Sequence, residues 1–166
     1  VKVKNNVIEN ARLEVTDITI ETQEAAEKLG RPVGRYITLT ATDSTFDMYS
    51  DSFRERAEVI AKAIGELCGS CERFLAVGLG NYALTSDAVG PLTAEKIFAT
   101  RHIKSLAKEL DTDDLGEVTV IQPGVLGNTG IESSEQVKAI AERVTPQAII
   151  AVDALACSEL SNLGRT

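Results

Sequence analysis

With 166 residues, the chain has the length of one ordinary domain around one hydrophobic core. Hydrophobic residues at 43% and charged residues at 25% are the proportions expected of a soluble globular protein, and no apolar run approaches the roughly 18 residues of a membrane span. The 17 basic residues against 25 acidic ones give a net charge of −8, and no cluster of Lys and Arg stands out, which speaks against direct contact with nucleic acid.

The N-terminal VKVKNNVIEN has no apolar segment of the secretory type, so the expected home is the cytoplasm, away from membranes. Three cysteines, Cys68, Cys71 and Cys157, are an odd number that suits a reducing compartment. Cys68 and Cys71 form a CxxC with no second CxxC behind it, which reads as an incidental pair before it reads as a zinc or redox site. The chain opens on Val and stops at LSNLGRT just past an apolar strand, as expected of a piece of a longer protein.

In chain order, Leu13 to Ile20 (LEVTDITI) and Arg35 to Thr42 (RYITLTAT) alternate with period two and predict strands, separated by a segment bearing LGRPVG. Residues 51–67 place apolar side chains at helical spacing, with Gly69 as the stop. Three apolar runs without alternation then follow, at 74–79 (FLAVGL), 118–121 (VTVI) and 148–152 (AIIAV). Runs of this kind predict strands covered on both faces. Helical segments at 86–109 and 133–144 lie between them, so the order predicts an α/β fold with a parallel sheet and helices on both sides.

In such sheets ligands gather at the carboxyl ends of the strands, which directs attention to GNYALTSDAVGP, QPGVLGNTGIESS and DALACS. Gly78-x-Gly80-x-x-Ala83 fits a relaxed dinucleotide pattern, but the next strand comes too late and ends in Gln122-Pro123 without the required acid. A nucleotide-binding module using GLGNYA is therefore the alternative from a different functional class.

Asp87 admits two readings. In one, Thr85 or Ser86 caps a helix and Asp87 sits in its first turn, favoured by the helix dipole. In the other it meets Asp153, which ends the apolar AIIAV strand and whose sequence neighbours would partly desolvate it. Two such carboxylates sharing one proton divide the roles of acid and base, and can activate water against an amide without a nucleophilic side chain. Thr129-x-x-Glu132 reads as a capping box, or else Glu132 is a third carboxylate of the site. Gly124, Gly127 and Gly130 suit tight turns or the close approach of a substrate. The single histidine, His102 in ATRHI, is a partner for a helix end or a base.

GLGNYALTSDAVGP, TRHI, QPGVLGNTGIESSE and AVDALA, in that order and at similar separations, resemble the germination protease family of spore-forming bacteria. LEVTDITIETQEAAEKLGRPVGRYITL resembles the early strands of that family, so the resemblance spans nearly the whole chain as a single peptidase domain. It implies an endopeptidase that degrades small acid-soluble spore proteins in the spore core at germination, made as a zymogen and assembled as a homotetramer. The family is similar to an atypical aspartic peptidase whose two aspartates fall on Asp87 and Asp153. Gly78, Gly80, Asn81, Gly124, Gly127, Thr129 and Glu132 would shape the site, with His102 a further candidate.

The family's fold is similar to that of the hydrogenase maturation proteases, which implies three layers, α/β/α, with a mainly parallel doubly wound sheet. That likeness keeps a metal-assisted protease open as an alternative, although the chain lacks a second histidine, and no cofactor is expected. Tyr82 stands where the family is expected to carry Trp, and the family continues well past ALACSELSNLGRT.

Overall fold

A computed structural model of the chain describes residues 1–43, 45–47, 49–106 and 115–166. They form two compact units, residues 1–69 with 157–166, and residues 70–156.

The first unit is built on an antiparallel sheet of β1 (Lys2–Ile8), β2 (Leu13–Ile20) and β3 (Gly34–Ala41), in that spatial order. β2 and β3 lie within a residue of their predicted bounds. β1 lies outside any predicted strand, because as an edge strand it leaves most of its side chains on both faces in water and so carries little alternation to read. Its register is fixed instead by the hairpin at residues 9–12, where Arg12 takes a positive φ of 51° and its carbonyl accepts the N–H of Thr42 at 3.0 Å.

The segment between β2 and β3 holds a short helix, α1 (Gln23–Leu29), which the glycines and proline nearby had concealed. Thr22 caps it, accepting the N–H of Ala25, and Gly30 ends it in the left-handed region. α2 (Phe53–Cys68) ends at Gly69 as predicted, with the Gly69 N–H returned to the Gly65 carbonyl at 2.9 Å. Ala11, Leu13 and Ala41 form the buried cluster, with Ile8 and Val59 packed against it.

At the heart of this unit lies a charge. Arg56, on α2, is 1% exposed. Its guanidinium donates to the carbonyls of Ala11 and Thr45, each at 3.0 Å, and pairs with Asp43, which also pairs with Arg12. The Arg12 hydrogen bond, against an opposing cost of desolvation and with help from Arg56, holds the Asp43 carboxyl well below the usual carboxylate range. A second bridge joins sheet to helix: Arg35 on β3 pairs with Asp17 on β2 at 2.9 Å and with Glu66 on α2 at 2.7 Å.

The second unit carries a parallel sheet of β4 (Arg73–Gly78), β5 (Glu117–Ile121) and β6 (Ala148–Val152), ordered β5-β4-β6. β4 is central and buried from Leu75 to Gly78, as its apolar run requires. β6 departs from the prediction of cover on both faces: it is an edge strand, and Ile149 and Ala151 remain exposed. Among the described residues the parallel sheet is thus three-stranded, and the N-terminal strands belong to an antiparallel sheet of their own.

The helix predicted at 86–109 is broken. A 3-10 turn at Thr85–Asp87 leads into α3 (Val89–Lys96), and α4 (Arg101–Leu106) starts anew, while the rest of the prediction falls on residues outside those described. The break has a cause at Thr100. Its N–H donates to the Val118 carbonyl at 3.0 Å, and its buried hydroxyl donates to the Gly116 carbonyl and accepts the Val118 N–H at 2.8 Å, so this backbone serves β5 and cannot continue a helix. α5 (Leu126–Thr129) and α6 (Ser133–Val144) follow, the latter with its predicted bounds.

Arg56→Ala should lower the stability of the first unit by about 3 kcal/mol in urea unfolding, since it strands the buried Ala11 carbonyl, the part-buried Thr45 carbonyl and the Asp43 carboxylate. Asp43 should also shape the acid limb of stability. Because its folded pKa is depressed, its contribution is complete above the unfolded value near 3.9 and is lost as pH falls from there through the lower folded value. Urea midpoints measured between about pH 5 and about pH 2 should therefore fall more steeply for the wild type than for Asp43→Asn.

Candidate active site

From β4 the chain crosses to β5 on one side and then returns past β4 to β6 on the other. The strand order therefore reverses at β4, and the carboxyl edge of this strand is the crevice where open α/β sheets take ligands. All three predicted loops leave from this edge.

Two glycines bring the start of α3 into the crevice. A Cβ on Gly78 would lie 2.7 Å from the Cβ of Ala94, and one on Gly90 would overlap the carbonyl oxygens of both Leu79 and Val152. Leu79 in turn donates its N–H to the Val152 carbonyl at 2.9 Å, which extends the β4–β6 ladder past the last paired residues. Gly90 therefore seats on the point where β4 and β6 end. The residue three before it is Asp87, and the residue after Val152 is Asp153.

Asp87 is half-buried and turned inward. The Asn81 N–H donates to its Oδ2 at 2.8 Å and to its main-chain carbonyl at 3.1 Å, and Gly80 makes room with φ at 114°, where a Cβ would come within 3.0 Å of Oδ1. The helix-cap reading of this stretch is corrected by the geometry. Neither Thr85 nor Ser86 caps α3, which begins after Ala88 without a side-chain cap, and the Asp87 carboxylate bonds back to the loop.

Asp153 is exposed, and its Oδ1 accepts the N–H of Ala154 at 2.9 Å. The desolvation expected from its apolar neighbours is not seen at Asp153 itself: Ile150 and Val152 are half-buried, but Ile149 is 49% and Leu155 is 94% exposed.

The candidates in the loop after β5 lie at the same edge, whereas His102 does not. Gly124 takes φ at 72° at the start of the second loop, but Gly127 lies inside α5 with open space beside it, so no tight turn depends on it. The capping box is shifted by three residues from the expected Thr129 and Glu132. Glu132 is the N-cap of α6, its N–H donating to Glu135 Oε2 at 3.3 Å, while the Thr129 hydroxyl donates within its own turn to the Ile131 carbonyl at 2.9 Å. His102 is exposed on α4, whose start is bonded through Thr100 and Arg101 to the amino end of β5, at the opposite end of the strand from the site. Among the described residues, no group of three or more His, Cys, Asp and Glu side chains is arranged to hold a metal ion, and the three cysteines are free thiols.

The same geometry disfavours a pyrophosphate at GLGNYA. The Asn81 N–H that would meet a phosphate is given to Asp87, whose carboxylate stands where the anion would lie. The loop also continues into a turn and a 3-10 segment, without the immediate helix N-terminus that such a site uses. Sequence reasoning assigned no role to Gly90, although a glycine before Pro91 inside the first turn of a helix was a signal: proline is suited to that position, whereas glycine is costly in a helix unless something must approach it.

The second unit thus defines a class, an α/β protein with three strand-end loops and two aspartates at a strand-order reversal. Comparison with known proteins refines it. The germination protease family model matches residues 1–166. The germination protease of Clostridium perfringens is 36% identical over 157 residues, covering 93% of this chain and 48% of the relative. That of Caldanaerobacter subterraneus is 37% identical over 156 residues, with the same coverage, and that of Priestia megaterium is 35% identical over 171 residues, covering 99% of this chain and 45% of its own length. The chain belongs to the germination protease family of peptidases, and spans about half the length of the curated relatives it matches.

Gly90→Ala should destabilise the second unit by at least about 2 kcal/mol, because the backbone around it has no slack for a methyl group. Hydrogen exchange would test this locally, with the Leu79 amide losing protection more than amides near the amino end of β4.

Proposed function

We propose that this chain carries the catalytic site of a spore germination endopeptidase that hydrolyses small acid-soluble spore proteins, with Asp87 and Asp153 as its acid and base. The observation that carries the reading is the seat of Gly90 on the Leu79 and Val152 carbonyls, which ties the Asp87 turn to the strand end that bears Asp153. Membership of the germination protease family supports the peptidase activity.

In this reading one aspartate, ionised, takes a proton from water as the water oxygen bonds to the scissile carbonyl carbon. The other, protonated, gives its proton to the amide nitrogen as the C–N bond breaks. The products are a carboxylic acid and an amine, and the pair ends with its single proton moved from one member to the other.

The wider expectations follow the same proposal: work in the spore core, activation from a zymogen, and assembly as a homotetramer. So does the three-layer form of the peptidase domain. Right-handed crossovers from β4 to β5 and from β5 back to β6 would set α3 and α6 on opposite faces of the sheet, which supports it.

The test is cleavage of a purified small acid-soluble spore protein, followed by mass spectrometry. Asp87→Asn and Asp153→Asn should each lower kcat/KM by at least about 100-fold, within the range a positioned acid or base supplies, with and without a chelator. Cleavage abolished by the chelator would favour the metal-assisted alternative, and equal cleavage by Asp153→Asn would remove that residue from the chemistry.

A further inference from the structure

Beside the Asp87 turn, the loops after β4 and β5 enclose a cleft of about 250 Å³. Its walls include Tyr82, Pro91, Gln122, Gly124, Val125 and Asn128, with the neighbouring Gly80, Asn81 and Ala83 also lining it. All of these residues belong to the second unit.

Three properties of this cleft point to one kind of occupant. First, none of its lining residues carries a charge at neutral pH, in a chain with a net charge of −8. A charged side chain entering it would lose water against Pro91 and Val125 and gain no counter-ion, and an acidic one would also approach Asp87. Second, Gln122 and Asn128 line the cleft and are exposed, and their side-chain amides are not engaged by other protein groups among the described residues, so each can exchange its water for a donor and an acceptor of an entering ligand. An extended peptide presents an N–H and a C=O in the same alternation, so two such amides match its backbone whatever its side chains. Third, Asn81 links the cleft to the proposed chemistry: it lines the cleft, and its N–H is the group that holds Asp87.

Building on the peptidase reading above, we propose that this cleft is a substrate subsite. It takes an extended peptide next to the scissile bond, with Gln122 and Asn128 bonding its backbone and Tyr82, Pro91 and Val125 packing on one uncharged side chain. The subsite therefore selects neutral residues at that position.

The experiment uses short capped peptides spanning a cleavage site of a small acid-soluble spore protein, with each residue flanking the cut replaced in turn by Ala, Lys or Glu. Cleavage kinetics are paired with NMR titration of the Gln122 and Asn128 side-chain amide signals. At one flanking position, Lys and Glu should lower kcat/KM by at least tenfold relative to Ala. Gln122→Glu and Asn128→Asp, which keep size and add a negative charge, should raise KM for the Ala peptide and narrow the gap for Lys at least fivefold. The Ala peptide should shift both amide signals.

Cleavage with unmoved amide signals and an unchanged preference in both variants would overturn the subsite while the peptidase reading stands. Shifts confined to the cleft without cleavage would support the subsite and count against peptidase activity in this chain. Neither cleavage nor shifts would overturn both.

Discussion

The second unit depends on one steric constraint, the contact of a helix start with the ends of two strands. Gly90 sits where any side chain would collide with the carbonyls of Leu79 and Val152, and Gly78 sits below it against Gly90 and Ala94. Removing two Cβ atoms lets α3 approach the sheet more closely than ordinary helix packing allows, since side chains normally hold such layers apart. The consequence reaches the site directly. With Gly90 fixed, the 3-10 turn at Thr85–Asp87 has little freedom, and the Asp87 carboxylate finds the Asn81 N–H of the loop leaving β4. A carboxylate on a loop is thereby held by strand, turn and helix together.

The first unit is organised by charge. Arg56 is buried among the backbone carbonyls of two loops and balanced by Asp43, which Arg12 also grips. A buried guanidinium costs more to desolvate than an apolar side chain of its size, but its fixed fork of donors specifies where each acceptor must lie. Here those acceptors are the hairpin at Ala11 and the segment after β3, so the pair fixes loop positions that a small cluster of Ala11, Leu13 and Ala41 would leave loose. The cleft in the second unit has the opposite character: its lining is neutral, and its exposed amides at Gln122 and Asn128 have no protein partner among the described residues.

How much of this was legible in the sequence follows from which interactions are local. The central strand β4 was legible because burial on both faces leaves an uninterrupted apolar run, and Gly69 was legible because a helix stop is written at one position. β1 was not, since an edge strand in water takes its structure from its partner's register. The break before α4 was hidden for a similar reason: Thr100 leaves the helix for Gly116 and Val118, partners 16 and 18 residues away that no window of periodicity contains. Asp87 was found as a candidate from its place after a strand, but its turn back to Asn81 and the seat of Gly90 come from tertiary packing, as does the cleft at Gln122 and Asn128.

The two aspartates also differ in how much of their setting this unit supplies. Asp87 is enclosed by groups within a dozen residues of it, Gly80, Asn81 and Gly90, and its hydrogen bond comes from the rigid main chain of the loop. Asp153 ends an edge strand, is exposed, and bonds only to the adjacent N–H among the described residues, while Ile149 and Leu155 beside it lie open to water. Proton exchange between a pair works best when the two members have different environments, one fixed by protein dipoles and the other in contact with water or substrate. A peptide lying along the carboxyl edge of β4 and β6 would cover Asp153 before it disturbed Asp87. In the proposed mechanism, substrate binding would then exclude water from Asp153, so that the fixed geometry of Asp87 and the variable hydration of Asp153 would serve one reaction.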